Sequence, residues 1–471
     1  MAYTFRGGIH VEEYKNTRRC RIEALPAPEI VTIPLSQHIG APAAALVKKG
    51  DSVTVGQKIG EVSGGLGCPV HSSISGTVTD IVKKNAQSGF PVEYVVIQND
   101  FKDTVCPDIH PVSKKLTEVT TEEVIEIVRE AGISGMGGAA FPTYAKIQSA
   151  LGKVDKLIVN CAECEPFITA NHRLLLEQPA SVINGVKILL KALGVRTAYL
   201  AVEDNKTDAI EKLEEMTEGS KMISVKVMKT KYPQGDERQL VYALTGVEIP
   251  SGKLPADVGC VIFNAETCAA VYRAFAFGMP LISRIVTVDG DCVKRPRNIL
   301  APIGPRVTDL VEFCGGLVRE PKKIINGGPM MGAAQWDTEM PVTKSTSAVL
   351  LFSEGFGRKS VETQSCIRCG KCIRNCPMHL MPMYIAQFSK IHDLKRAEEY
   401  GAMNCVECGS CSYNCPGGVE IVQHIRVAKA AIKAEKTQKA IAAVLPESAD
   451  EIELVGLVSN ICVISNACVL Q

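Results

Sequence analysis

The chain has 471 residues, 46% of them hydrophobic, and a net charge of +1. That is enough for about three or four domains with a sizeable core, and too balanced for a general nucleic-acid binder. Its 19 cysteines are odd in number, with one group in metal-ligand spacing, so they do not read as a disulfide framework and fit a reducing compartment.

The opening stretch "MAYTFRGGIHVEEYKNTRRC" lacks the apolar core of a signal peptide, so export is not expected. No unbroken run of about 20 apolar residues predicts a membrane span. Residues 29–100 read as short strands, "EIVTIPL", "SVTVGQKIGEV", "GTVTDIV" and "EYVVIQND", rich in Val and Ile and separated by Gly and Pro. Their order resembles the lipoyl/biotinyl-type barrel-sandwich module, which assigns residues 1–115 to a β domain. Carrier modules bear a Lys at the hairpin tip, whereas Ser63–Val70 has none. The resemblance therefore implies the fold and a structural role, without a swinging cofactor.

From residue 116 the pattern changes. "TTEEVIEIVREAG" opens with a capping box, Thr120 to Glu123, and predicts a helix ending at Gly132. Strands "KLIVNC", "RTAYLAVE", "ISVKVMK" and "CVIFNA" then alternate with helices "ASVINGVKILLKALG", "KTDAIEKLEEMTEG", "DERQLVYALTG" and "TCAAVYRAFAFG". This alternation predicts a Rossmann-like α/β domain over 116–280 with a mostly parallel sheet, whose ligands sit at the carboxyl ends of the strands. Residues 281–345 read as a small β-grasp-like (SLBB-type) module: a hairpin "RIVTVDGDCVKRP", a short helix "VTDLVEFCGG" and a closing "KKIINGGPMMG". Residues 346–435 read as helices around clusters, and 436–471 as a tail. The tail's apolar stretch from Leu454 reads as a packed or frayed terminus, with a membrane or partner contact as the alternative. The fold class is thus multidomain α/β with four modules.

The most specific signal is "CIRCGKCIRNCP" from Cys366 and "CVECGSCSYNCP" from Cys405. Thiolate is a soft ligand suited to iron–sulfur clusters and zinc. In C-x2-C-x2-C-x3-C-P runs the fourth cysteine ligates the other cluster of a two-cluster ferredoxin. Cys366, Cys369, Cys372 and Cys415 are therefore expected to hold one [4Fe–4S] cluster, and Cys405, Cys408, Cys411 and Cys376 the second. A pair of four-thiolate zinc sites is the rival reading. The insert Pro377–Asn404 is expected to add helices.

The second signal is "GISGMGGAAFPTYAKI" from Gly132. Gly135, Gly137 and Gly138 permit positive φ and close backbone approach, and a glycine-rich turn before a helix can cradle a phosphate. No GK[ST] follows, so it is not a Walker motif. Three more polar groups follow predicted strands: "NCAECEP" with Asn160, Glu163 and Glu165; "YPQGDER" with Tyr232, Gly235, Asp236 and Glu237; and "FNAET" with Asn264, Glu266 and Thr267. Together they would converge on one crevice suited to a polar ring edge and ribityl hydroxyls.

These motifs resemble the flavin- and NADH-binding subunit of respiratory complex I and its diaphorase relatives, which carry G-x-G-G-A-G-F-P-T-x-x-K, N-A-D-E-S-E-P, Y-x-x-G-E-E and N-x-E-T loops. The module order over residues 1 to about 435 is similar to the C-subunit family of Rnf electron-transport complexes. The resemblance implies FMN on Gly135, Gly137, Gly138 and Lys146, held further by Asn160, Glu163, Tyr232, Gly235, Asp236, Asn264 and Thr267. It implies NAD(H) stacked near Phe141, Glu165 and Glu237, hydride exchange at FMN, and single-electron exchange with the two clusters. Met136 stands where complex I has Arg, Ala162 where it has Asp, Asp236 where it has Glu and Ala140 where it has Gly. The lost Arg and Asp bear on flavin affinity and nicotinamide contacts, not on the crevice.

By the same resemblance the expected partners are the membrane subunits of an Rnf-type complex, an iron–sulfur (ferredoxin-like) subunit or ferredoxin, and NAD(H). The expected place is peripheral, on the cytoplasmic face of the membrane. Two rivals stay open: a soluble flavin/iron–sulfur reductase such as a corrinoid reductase, whose chain usually begins with the flavin domain, and a non-catalytic electron relay. Cys161 and Cys164 read as buried thiols, with a redox disulfide as the alternative. Arg426, Lys429, Lys433, Lys436 and Lys439 share one helical face. That face reads as solvated, with docking on an acidic partner or anionic membrane as the alternative.

Overall fold

The computed structural model describes residues 2–85, 91–357 and 364–444; the apolar tail from Leu454 lies outside them. The described chain forms two compact units, one of Met1–Phe5 with His10–Phe356 and one of Arg6–Ile9 with Gly357–Gln471.

The first unit contains three modules. In the N-terminal one, strands Ile30–Pro34, Pro91–Asn99, Gly76–Asn85 and Ser52–Val53 make an antiparallel sheet in that order, and Ala44–Ala45, Lys58–Glu61 and Val70–His71 make a second. Alternate side chains bury, Val31 and Ile33 on one strand and Val95 and Ile97 on its neighbour, as the period of two requires. Val53, Ile59 and Val70 join the same core.

The α/β module is a parallel sheet ordered Ile223–Met228, Ala198–Glu203, Lys156–Cys161, Cys260–Asn264. All four expected strands are present. Asn160 and Asn264 are register partners at adjacent strand ends. Helix Thr121–Glu130 begins with the expected capping box. Helix Pro179–Leu193 starts on Pro and stops at left-handed Gly194. It crosses helix Ala265–Phe277 so closely that a Cβ on Gly185 would stand 1.8 Å from the Cys268 carbonyl oxygen. Helix Thr143–Ala150 follows the glycine-rich turn, and a further helix, Ala170–Glu177, lies in a stretch to which the sequence reading assigned no element.

The third module is a six-stranded sheet ordered Ile22–Ala24, Arg297–Pro302, Ser283–Asp289, Ala348–Phe352, Lys323–Asn326, Ala333–Gln335. An antiparallel hairpin is present, but its return strand is Arg297–Pro302, beyond the stretch that ends at Pro296. The boundary expected at residue 345 is corrected: Ala348–Phe352 pairs with both Thr287–Asp289 and Lys323–Asn326. The run "AVLLF" is buried at every position. It therefore lacks the alternation that marks a half-exposed strand. Val286, Val288, Ile299 and Leu351 continue the apolar core of the N-terminal module. Lys344 ties all three modules: its buried ammonium donates to the carbonyls of Pro69 (2.9 Å) and Gly132 (2.7 Å).

In the second unit, helices Lys371–Arg374, Pro382–Lys390, Leu394–Glu399, Ser410–Tyr413 and Ile421–Val444 surround a core of Ile385, Ala397, Ile421, Ile425 and Ile432. The insert supplies two of them, as expected. The boundary expected at residue 435 falls inside helix Ile421–Val444, because its helical pattern continues past that point. Among the described residues no helix is long and apolar enough to cross a membrane.

Two outcomes are expected by thermal denaturation. Gly185→Ala should cost about 3 kcal/mol by forcing the two helices apart. Lys344→Met should cost about 1–3 kcal/mol through its orphaned carbonyls. Burial lowers the Lys344 pKa from 10.5 to about 8, so the unfolded chain binds the extra proton between those values. Wild-type stability therefore gains with pH there, and the deficit of Lys344→Met should widen as pH rises from about 8 toward 10.5.

Candidate functional site

Four loops meet at the carboxyl end of the parallel sheet. The glycine-rich loop is pinched at its base, where Gly135 N–H donates to Phe141 C=O (2.8 Å) and Thr143 N–H to Ile133 C=O (3.0 Å). Gly137, Gly138 and Ala139 form an exposed tip. A Cβ on Gly137 would touch Asn264 at 3.4 Å, and Gly138, at φ +116°, faces open space. The Met136 peptide is held from both sides. Its N–H donates to Thr267 Oγ1 (2.9 Å), and Arg284 donates to its C=O (3.4 Å) while pairing with buried Glu266 (3.0 Å). The Met136 side chain is buried in the core, so this departure from Arg places an apolar group under the loop.

In the second loop, Asn160 Nδ2 donates to Gly235 C=O (2.8 Å) and its Oδ1 accepts from Ala162 N–H (3.1 Å). Glu163, at φ +54°, turns its carboxylate onto the N–H groups of Asn171 (2.7 Å) and His172 (3.1 Å), capping helix Ala170–Glu177. Lys15 donates to the carbonyls of Glu163 (2.8 Å), Glu165 (2.8 Å) and Ile168 (2.6 Å). Lys206 donates to Ala162 C=O (2.6 Å) and pairs with Glu203 (2.8 Å). Burial pulls the Lys206 pKa down, but Glu203 and Glu163 outweigh it and hold it above its ordinary value. The Glu165 carboxylate accepts N–H groups from Met330 (3.0 Å) and Met331 (2.9 Å). Burial pushes its pKa up to about 7. Gly328 makes room for it, since a Cβ there would lie 2.3 Å from this carboxyl group.

The third loop buries Tyr232 and Gln234. Both amide atoms of Gln234 lack a hydrogen-bond partner among the described residues. Asp236 caps helix Glu237–Thr245 through Arg238 and Gln239 N–H, and burial raises its pKa to about 6. Glu237 pairs with Lys146 at 3.6 Å, and Lys146 also lies over the Phe263 ring. In the fourth loop Asn264 Oδ1 caps helix Ala265–Phe277 through Glu266 N–H (2.8 Å). Gly137 with Asn264, Asn160 with Gly235 and Lys146 with Glu237 thus join all four loops at one crevice, with Phe141 half-buried beside it. Thr267, Glu163 and Asp236 bond backbone amides and shape the crevice wall, and the Glu165 carboxylate closes onto Met330–Met331. Cys161 and Cys164 are free thiols; Cys164 Sγ accepts from Gly235 N–H (3.3 Å).

In the second unit, Cys376, Cys405, Cys408 and Cys411 line one cavity, with Pro377, Leu380 and Val422. Cys376 comes from the first motif and the other three from the second. Burial raises the pKa of Cys376, and that of Cys405 to about 11. Among the described residues, no three His, Cys, Asp or Glu side chains converge as ligands of a single metal ion. Cys366 and Cys369 are exposed and Cys372 is buried. Met383 brings its thioether to 3.0 Å from Cys366 Sγ. Of the basic helical stripe, Arg426 and Lys429 pair with Glu407 and Lys436 pairs with Glu398. Most of that face is therefore engaged within the unit.

Four family models match in chain order: the RnfC barrel sandwich hybrid domain over residues 3–102, the Nuo51 FMN-binding domain over 128–273, the SLBB domain over 285–334 and the 4Fe-4S dicluster domain over 358–416. The chain is 44% identical to the C subunit of the Na(+)-translocating ferredoxin:NAD(+) oxidoreductase complex of Acetobacterium woodii, over 92% of this chain and 98% of that one. The chain belongs to the Rnf C-subunit family. It is also 44% identical to the proton-translocating counterpart of Clostridium ljungdahlii (91% and 94% covered) and 38% identical to the C subunit of the ion-translocating oxidoreductase complex of Rhodobacter capsulatus (93% and 85%).

As a member of the Rnf C-subunit family the chain carries an FMN-binding domain and a 4Fe-4S dicluster domain, and the residues fit both groups. For the flavin, the exposed glycine tip and the unpartnered buried amide of Gln234 leave donors and acceptors for a polar ligand. For the clusters, buried thiols of high pKa become ligands only beside a strong cationic centre. Sequence reasoning missed Lys15, Lys206, Arg284, Gln234 and Met383. None lies at motif spacing, and only Gln234 sits inside a quoted motif.

The Glu165 pKa near 7 stands above its ordinary 4.5, so the folded chain binds the extra proton between them. The stability it contributes is fully present below pH 4.5 and lost as pH rises through 7. Glu165→Gln should flatten the dependence of Tm on pH between about 5 and 8. Gly328→Ala should displace Glu165 and cost about 1–3 kcal/mol in thermal denaturation.

Proposed function

We propose that this chain passes electrons between NAD(H) and two [4Fe–4S] clusters, as the peripheral input/output subunit of an ion-translocating ferredoxin:NAD(+) oxidoreductase. The observation that carries this reading is the four-loop crevice with its open glycine tip, in a chain that also brings cysteines of both motifs to one cavity. Bound FMN supplies the conversion between hydride transfer and single-electron transfer. The chain's own residues orient and enclose. The Gly137–Gly138 tip offers amides to the phosphate, Asn160 and Asn264 flank the ring edge, and Lys146 adds positive charge. Phe141 and Glu237 border the nicotinamide side, while Glu165 acts from behind by holding the Met330–Met331 loop. Cys366, Cys369, Cys372 and Cys415 hold one cluster, and Cys376, Cys405, Cys408 and Cys411 the other. Partner subunits provide the ion path and place this chain on the cytoplasmic face of the membrane.

The test is an anaerobic NADH titration of the full chain reconstituted with FMN, iron and sulfide, followed by absorbance and EPR. Flavin bleaching followed by cluster signals is expected. Flavin and clusters that respond only to dithionite would make the chain a relay. Cys376→Ser should alter the EPR signal of the cluster held by Cys405, Cys408 and Cys411, and a change confined to the other cluster would overturn the crossed ligand set.

A further inference from the structure

The two cysteine motifs repeat one backbone. Arg368 and Glu407 hold the same place and the same left-handed conformation, φ +54° and +57°. Gly370 and Gly409 follow at +72° and +76°. Each then starts a one-turn helix, Lys371–Arg374 and Ser410–Tyr413. The surroundings of the two differ. From Cys405 to Ser412 no residue is exposed, although Tyr413, the counterpart of Arg374, is, and Glu407 is paired with both Arg426 and Lys429. In the first motif Cys366, Ile367, Arg368, Cys369, Lys371 and Arg374 are all exposed, Ile367 at 64%. None of these three basic residues forms an ion pair among the described residues. The local backbones match, so the difference comes from what packs over each motif: helix Ile421–Val444 brings Arg426 and Lys429 onto Glu407, and no ion-pair partner among the described residues meets the three cations of the first.

We propose that the face made by Ile367, Arg368, Lys371 and Arg374 is the docking site of an acidic iron–sulfur electron carrier, and that the cluster beneath it is the chain's point of exchange with that carrier. The inference rests on the proposal that the eight cysteines hold two clusters. An apolar centre ringed by like charges has the anatomy of a transient interface. Three unpaired cations at its rim attract an acidic partner from a distance and raise its encounter rate. Electron transfer falls steeply with distance, so the motif whose thiols reach the surface is the one that can exchange. One electron leaves the carrier's reduced cluster, which is oxidised, and enters this one, which is reduced. No bond or proton moves.

The test uses the full reconstituted chain and a reduced, acidic two-cluster ferredoxin as probe, mixed anaerobically in a stopped-flow instrument. The triple variant Arg368→Glu/Lys371→Glu/Arg374→Glu is compared with wild type and with Lys439→Glu, a charge reversal on helix Ile421–Val444. The triple reversal should lower the second-order rate at low salt roughly tenfold or more, with the gap closing as salt rises, while Lys439→Glu behaves as wild type. EPR of dithionite-reduced samples checks that both clusters are present in every variant. Two intact clusters with an unchanged ferredoxin rate would overturn the docking proposal alone. Absence of cluster signals from the wild type would instead overturn the reading on which it rests. Loss of binding to anionic vesicles, with the ferredoxin rate unchanged, would also overturn it and make the face a lipid contact.

Discussion

The carbonyls of Ala162, Glu163, Glu165 and Ile168 turn inward from a loop that has no strand or helix to satisfy them, and two lysine ammonium groups take all four. Buried carbonyls without partners are costly, and this loop makes the requirement sharper by holding Glu163 and Phe167 at positive φ. Lys206 comes from the end of the neighbouring strand. Lys15 comes from the chain's first segment, far away in sequence. With the carbonyls fixed, the Glu163 side chain is free to cap one helix and the Glu165 side chain to hold the Met330–Met331 loop. Asn160 then meets Gly235. The crevice is thus organised by two ammonium groups spent on backbone carbonyls of its second loop.

The same dependence on distant segments runs through the first unit. The N-terminal sheets and the third module share one apolar interior, and strand Ile22–Ala24 pairs with Arg297–Pro302. Lys344 reaches both other modules and forms no ion pair among the described residues. Arg284, from the third module, supports the glycine loop of the second. Chain segments that look like separate domains in sequence are therefore one structural body, and excising the FMN-binding region would remove Lys15, Arg284 and Lys344 together.

Much of this was legible in the sequence. Strands with clear alternation or flanking turns were found in place, and the capping box at Thr120–Glu123 formed as written. The glycine turn and three polar loops converge because strand ends of a parallel sheet are adjacent, which is a rule of topology rather than of any one residue. What was not legible follows from tertiary choices. "AVLLF" gives no face to read, because both of its faces are covered. Glu163 and Asp236 sit in motifs, yet their carboxylates cap helices, a use that sequence cannot separate from ligand binding. The basic stripe on the last helix had the spacing of a docking face, but Glu407 and Glu398 come from elsewhere in the chain to meet it. Helix Ala170–Glu177 was missed because its cap lies several residues upstream, in Glu163.

Cys376 lies in the cavity of the three cysteines that begin at Cys405, and this has a topological consequence. A shared cluster would close the stretch from Cys376 to Cys405 into a ring, much as a disulfide does. Cross-linking a loop of that length removes disorder equivalent to about 3–4 kcal/mol from the unfolded chain. The helices Pro382–Lys390 and Leu394–Glu399 lie inside that ring. Their persistence is then coupled to the inorganic centre. Loss of iron would loosen the intervening helices as well as remove an electron carrier, and oxidative damage at one thiol would register as unfolding of a segment that contains none of the other seven motif cysteines.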